Sequence, residues 1–396
     1  MADGFARVLR ALHGFSFFTY PLAAVPLLFF FYRERGLTMR EYGTLVSIGY
    51  AAMVVFELPT GWLADRIGRR LPMVLGPIFF SLGWFVTWHG TTWNVFAIGQ
   101  VSMSFGHAMI SGPPSALLYE HLQARGRAQD YLREEALQWR RVILGSAIAF
   151  GIGGLIGHFV SLGAAVLATA ALCLCAVPFA LAIRETARPS PSSRPHDRVA
   201  DRNLFTRLRR ALQHPEVLWL VATYVLLFFL LRFGFHTWQP WLAGSAGDDP
   251  LLLGVLYASF SFFSLPFVRL APRVTRRFGD EATLVGLCVI CSVSILLLST
   301  GSSIWLVPLL YAQQVPFALH RPLAHAYANH RIDSTDRALV LSILSFAGRL
   351  GFAAIFAIAL DDDDMVRDDY ATVGVVTLAC ALIVWWLRPR KQPRKT

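Results

Sequence analysis

The chain has 396 residues, 55% of them hydrophobic and 15% charged, against about 45–50% and 25% in soluble domains; its mean hydropathy is +0.50. That much apolar surface exceeds what one water-facing core can hide, so an ordinary soluble domain is excluded and an integral membrane protein is implied. The net charge is +11, carried by 36 basic residues of which only Lys391 and Lys395 are lysine; the cations sit in short loops between apolar runs, which points to membrane topology rather than to nucleic acid.

A membrane-spanning helix takes about 20 apolar residues. Twelve stretches qualify, at 11–32, 43–64, 72–90, 93–120, 137–160, 161–183, 217–241, 251–272, 283–300, 303–328, 338–360 and 370–388. The first has no small-residue cleavage site and is expected to stay as a helix. With the N-terminus inside, the loops on the cytoplasmic side hold 26 cations and the outer loops four, namely Arg33, Arg35, Arg40 and Arg367. Both termini are therefore expected in the cytoplasm. The acidic run Asp361–Asp364 falls on the outer side, where it reads as a solvated loop rather than a cation site.

The polar stretch "RETARPSPSSRPHDRVADRN" separates spans six and seven and reads as a flexible or amphipathic cytoplasmic linker. It divides the chain into an N-terminal six-helix bundle (1–183), a linker (184–214) and a C-terminal six-helix bundle with a short basic tail (215–396). The fold class expected is all-α. Shifted by 211 residues, "LADRIGRR" (63–70) faces "VTRRFGDE" (274–281): Gly68 meets Gly279 and Arg66 meets Arg277, while Asp65 becomes Arg276 and Arg69 becomes Asp280. Both copies lie between the second and third spans of their halves, a weak internal repeat of the kind found in transporters built from two halves.

"GWLADRIGRR" (61–70) resembles the signature between helices two and three of the major facilitator superfamily, G-x-L-x-D-R-x-G-R-R. "SGPPSALLYEHL" resembles the "ALLYDSL" pattern of a bacterial subgroup, with Glu120 in place of Asp. "YANHRIDSTDRALVLSILSFAGRL" resembles the same subgroup's start of helix eleven. The resemblance implies two pseudo-symmetric bundles in a bacterial inner membrane, with a substrate site near the midplane between them and secondary transport by alternating access. It also implies a cytoplasmic gate made of Gly61, Asp65, Arg66, Gly68, Arg69, Arg70, Glu120 and Arg337, with a second copy at Arg276, Arg277, Gly279 and Asp280. In that gate Asp65 faces the start of helix eleven near Arg337, Arg69 and Arg70 pair with Glu120, and Gly61 and Gly68 let helix ends approach closely. The bland reading of these arginines is topology marking alone.

Ionisable side chains inside a span are costly and mark function by default. Glu57 lies eight residues before Asp65 and reads as the carboxylate within the hydrocarbon zone, a proton-coupling candidate whose alternative is a structural salt bridge. Arg232, Arg321, His236 and His320 are substrate-cavity candidates, and Arg349 reads as structural. More Arg than Glu favours an anionic or zwitterionic substrate. Phe17, Tyr20 and Trp238 are aromatic candidates for the same cavity, although Trp238 and Trp241 also sit where an interfacial belt belongs. "GIGGLIG" (151–157) lacks the strand–turn–helix setting of a dinucleotide loop and reads as a small-residue packing face. Cys173/Cys175 and Cys288/Cys291 read as packing residues.

The function expected is proton-coupled efflux of a drug-like molecule or siderophore-type metabolite. The alternative is uptake or exchange of an anionic metabolite, and more distantly a lipid-acting membrane enzyme. No cofactor, metal or nucleic-acid partner is expected, and a monomer in the bilayer is.

Overall fold

The computed structural model describes residues 2–183, 209, 212–331, 334–360 and 366–389. Most of the linker, the Asp361–Asp364 run and the basic tail from 390 lie outside the described residues. Among those described, the chain forms sixteen α-helices and no strand. The first nine are α1 (Ala2–Phe18), α2 (Leu28–Glu34), α3 (Met39–Ile67), α4 (Arg70–His89), α5 (Trp93–Ile110), α6 (Pro113–Gln123), α7 (Tyr131–Phe159), α8 (Leu162–Leu174) and α9 (Ala176–Ala182). They are followed by α10 (Pro215–Ala246), α11 (Pro250–Ser264), α12 (Ala271–Phe278), α13 (Asp280–Leu298), α14 (Val307–Arg331), α15 (Ser334–Phe356) and α16 (Val366–Trp386). Eight helical stretches of the described residues are long and apolar enough to cross a membrane. Large apolar side chains such as Leu58, Phe159 and Ile358 lie exposed on their surfaces, as expected where hydrocarbon replaces water.

Every expected span falls on helix, but four are interrupted, and the sequence explains each break. The first stops at Phe18 and resumes through a short turn at Val25–Leu27 before α2, because Pro21 and Pro26 cannot continue an α-helical ladder. The fourth breaks at Ser111–Gly112, ahead of Pro113 and Pro114. The sixth turns at Cys175, three residues before Pro178. The eighth ends at Ser264, and Pro266 begins a short path to α12. Elsewhere the ends are explicit. Thr38 and Glu41 form a reciprocal capping box at the start of α3, where the Thr38 hydroxyl accepts from the Glu41 N–H at 3.2 Å and the Glu41 carboxylate from the Thr38 N–H at 2.9 Å.

The helices group into two compact units. One is Met1–Arg188 with Gly247–Phe262, the other Pro189–Ala246 with Phe263–Thr396. Gly247–Phe262, which follows the expected linker in the chain, packs with the first unit.

In the first unit, small residues bring helices together. A Cβ on Gly76 would meet the Gly106 carbonyl at 3.0 Å, and one on Gly83 the Gly99 carbonyl at 2.6 Å, so α4 and α5 touch backbone to backbone. The "GIGGLIG" stretch is the packing face expected of it. A Cβ on Gly153 would fall 1.8 Å from the Ala23 carbonyl, and one on Gly154 2.9 Å from Gly254 Cα. In the second unit the core is aromatic. Phe352 and Phe356 stack at 4.6 Å, and Phe233 sits edge-on to Phe356 and Tyr370.

Candidate functional site

The opening motif ends α3 and begins α4. Gly68 sits at φ 107°, ψ 160° and Gly279, its repeat partner, at φ 81°, ψ 162°; each donates its N–H to the carbonyl four residues back. Only glycine adopts this backbone cheaply. The role expected for the glycines is thereby corrected. Gly68 is set by its dihedral angles, whereas a Cβ on Gly61 meets nothing within 4 Å, so Gly61 is not explained by close helix approach.

The arginines of the motif have separate partners. Arg69 pairs with Glu120 at 3.2 Å. Arg70 instead donates to the Leu181 carbonyl at 2.5 Å, and Arg66 lies over the Trp62 ring at 4.3 Å. Arg69 and Glu120 belong to one compact unit, where their pair ties helix ends together. The side chains of Asp65 and Arg337 lie outside the described positions.

The second unit repeats the device with its charges reversed. Arg331, the last residue of α14, reaches Glu216 at the start of α10 at 3.1 Å and Glu281 in the first turn of α13 more closely still. It also lies over the Tyr327 ring at 5.1 Å. Under the same 211-residue offset Glu120 corresponds to Arg331 and Arg70 to Glu281. The cation of one unit stands where the other has its anion. Of the other second-copy residues, Arg276 and Arg277 are exposed, Arg277 lies over Phe278 at 5.5 Å, and Asp280 opens α13.

Deeper in the first unit, the break after α1 leaves backbone groups that other helices satisfy. Ser146 donates to the Tyr20 carbonyl at 2.8 Å, and the Ala24 N–H donates to Thr169 Oγ1 at 2.8 Å. The Tyr20 hydroxyl lies 3.4 Å from His107 Nε2, with the rings 4.8 Å apart. Phe17 packs edge-on to Phe18. Glu57 is half-buried on α3, flanked by the exposed Val55 and Leu58. The more buried carboxylate is one that the sequence placed in a loop: Glu134 is 8% exposed, because α7 begins at Tyr131, six residues before the expected start of span five. His13 Nε2 stands 3.6 Å from Glu134 Oε2.

The second unit holds three arginines on different helices, Arg232 on α10, Arg321 on α14 and Arg349 on α15. Arg232, Arg321 and Arg349, from three different helices, all lie near enough to Tyr224 to act electrostatically on its hydroxyl. Arg232 and Arg321 act likewise on His320, and Arg232 on His236. Aromatic rings complete the group: Arg232 lies over Phe228 at 5.4 Å, Tyr224 is 6.3 Å from His320, and His236 is 5.9 Å from Phe352. Arg349, read as structural, belongs to this cluster, and Tyr224 was missed because a Tyr in an apolar run carries no signal of its own. Arg321 is exposed at one edge. Trp238 and Trp241 are no interfacial belt: both are buried, donating to Gln313 at 3.2 Å and to the Leu298 carbonyl at 3.0 Å. No group of three or more metal-ligating side chains occurs among the described residues, whose cysteines are all free.

Residues 8–356 match the Major Facilitator Superfamily. The chain belongs to that superfamily. Among curated proteins it is 25% identical over 130 residues to the quinolone resistance protein NorA of Staphylococcus aureus; the match covers 33% of this chain and 32% of the relative, so it spans about a third of that protein's length. Among solved structures it is similar to a nucleoside transporter, NupG, with a TM-score of 0.81 and 14% identity over 96% of this chain and 99% of that one. It is also similar to a bacterial homologue of the lysosomal transporter Spinster, with a TM-score of 0.77 and 14% identity over 98% and 96%. At these identities the likeness is one of fold. As a facilitator, the chain is a multi-pass membrane protein with a transporter fold, and the family and fold are not those of enzymes.

Proposed function

We propose that this facilitator exports a small organic compound carrying an anionic or zwitterionic group, a drug-like or siderophore-type molecule, by proton-coupled alternating access. The reading includes twelve spans with both termini in the cytoplasm of a bacterial inner membrane, a monomeric carrier, and an Asp65–Arg337 contact that closes the cytoplasmic side. The observation that carries the substrate class is the cluster of Arg232, Arg321 and Arg349 around Tyr224 within a ring of aromatics. Guanidinium groups recognise carboxylates through paired hydrogen bonds, and flat rings stack on the Phe and His faces. Export rests on the partial similarity to a quinolone resistance protein. Proton coupling needs a titratable group shielded from bulk water. The sequence offers Glu57, and the folded chain adds His13 with Glu134.

The test is flux in proteoliposomes under an imposed pH gradient, screened over an acidic, a zwitterionic and a basic compound set that includes a fluorescent fluoroquinolone. Gradient-driven movement of acidic or zwitterionic compounds is expected, with Arg232→Ala raising the half-saturating concentration roughly tenfold, the equivalent of one lost charge-assisted hydrogen bond. Transport confined to basic compounds, or an R232A protein with unaltered affinity, overturns the substrate class. A second reading, uptake of an anionic metabolite, draws on the same Arg cluster and is distinguished by the direction of accumulation in right-side-out vesicles.

A further inference from the structure

We infer that His13 and Glu134 form the proton-binding pair of the N-terminal unit, the place where the coupling proton resides during transport. The inference rests on the proton-coupled reading above and adds its site.

Glu134, Gln138, Arg141, Gly145 and Gly153 lie along one stripe of α7, at spacings of three, four or eight residues. The glycine end of this stripe touches the backbone of the first span: a Cβ on Gly145 would fall 2.0 Å from the Phe17 carbonyl, and one on Gly153 1.8 Å from that of Ala23. The polar end faces His13 on α1. The stripe thus changes from a dry backbone seam to a buried polar pocket within three turns.

That pocket is incompletely satisfied. Gln138 is 5% exposed, and its Nε2 has no hydrogen-bond partner among the described residues; the same holds for His13 Nε2. The separation of 3.6 Å between His13 Nε2 and Glu134 Oε2 is an ion-pair distance but too long for a hydrogen bond. A buried unpaired donor or acceptor costs about 1–3 kcal/mol, so its persistence beside a buried carboxylate marks a site with more than one state. In the doubly protonated imidazole both ring nitrogens are donors, so Nε2 can then donate a charge-assisted hydrogen bond to Glu134 and is no longer unsatisfied.

The surrounding charges make the site reversible. Arg141, exposed at the edge of the same stripe of α7, adds a positive charge beside the pair. With the proton absent, Glu134 and Arg141 balance; with it bound, the cluster carries one net positive charge. Glu135, also on α7, accepts from Ser115 at 2.7 Å. From α6, Glu120 is engaged by Arg69, and His121 is buried against Arg125. α9, also packed against α1, has no titratable side chain, and α4 meets the α1 cluster through Met73 and Val74. In the proposed cycle, a displacement of α1 against α7 that changes the His13–Glu134 separation binds or releases the proton.

Two measurements test this. Protein labelled at histidine 13Cε1 is titrated in nanodiscs, with the His13 resonance assigned by its loss in His13→Gln. Glu134→Gln is expected to weaken proton binding at His13 at least threefold, and Glu134→Asp, which keeps the charge farther away, by less. Equal proton affinity in wild type and both Glu134 variants overturns the pairing. In the proteoliposome assay with the fluoroquinolone as probe, H13Q and E134Q are expected to lower gradient-driven flux at least tenfold while exchange without a gradient stays within about twofold. Full gradient-driven flux in H13Q and E134Q, or its loss in E57Q alone, overturns the site but leaves the proton-coupled reading standing. Absence of gradient-driven flux for every compound in wild type overturns both.

Discussion

The two charged helix ends, Arg69–Glu120 in the first unit and Arg331–Glu216–Glu281 in the second, share a backbone and differ in everything attached to it. Both follow a glycine locked at positive φ, and both join the start of the third span of their half to the end of the fourth. In the first, one cation meets one anion, with the side chains 22% and 29% exposed. In the second, a single cation bridges two anions from two helices, and on the tighter side the exposures are 20% and 13%. Partial burial works against the charged form of Arg331, but Glu281, Tyr327 and Glu216 outweigh it, leaving its pKa above the ordinary value. The lesson is that a duplicated fold preserves the dihedral requirement while the sign of each charge is free to exchange, because the pair needs only complementarity.

This comparison can be broken experimentally. Removing the central cation with Arg331→Ala strands two carboxylates, one of them largely buried, and is expected to destabilise the second unit by about 2–3 kcal/mol, read as a lowered Tm in detergent. A Tm loss no greater than that of Arg69→Ala would show the bridge to be no stronger than the single pair. Gly279→Ala and Gly68→Ala each force a side chain into a backbone region reserved for glycine and are expected to cost about 1–3 kcal/mol, by similar amounts if the backbone device is truly shared. Arg69→Ala is expected to cost less than about 1 kcal/mol, as for a part-exposed ion pair. Most of that loss should return in the exchanged double variant Arg69→Glu with Glu120→Arg, which reproduces the charge order of the second unit. No recovery in the double variant would mean that position, not complementarity, fixes the signs.

The smallest effect is expected at the other end of α7, where His158 and Asp249 meet at 2.8 Å on an exposed surface. The hydrogen bond with His158 holds the Asp249 carboxyl below the usual carboxylate range. An acid with a depressed folded pKa contributes stability above its ordinary value, about 3.9, and loses it as the pH falls through the depressed one. The contact should therefore survive mild acidification to about pH 5 and be lost only in strong acid; Asp249→Asn should remove that acid-dependent step from a plot of Tm against pH and change little else.

Class, helices and repeat are legible in local composition and spacing. Hydropathy marks stretches that cannot face water, but it stays high across the breaks after Phe18, Ile110 and Ser264, where only the nearby prolines signal the interruption. The "GWLADRIGRR" stretch resembles the family signature, and its Gly68 answers a local backbone need. Only the tertiary structure decided which charges meet. Glu134 looked like a loop residue because "LREEALQWRR" is polar, and its burial follows from α1 lying against one stripe of α7. Arg349 and Tyr224 joined Arg232 only when three helices brought them together. Local dihedral and solvent preferences are written into short segments, whereas the partner of a buried charge is set by packing between residues far apart in the chain.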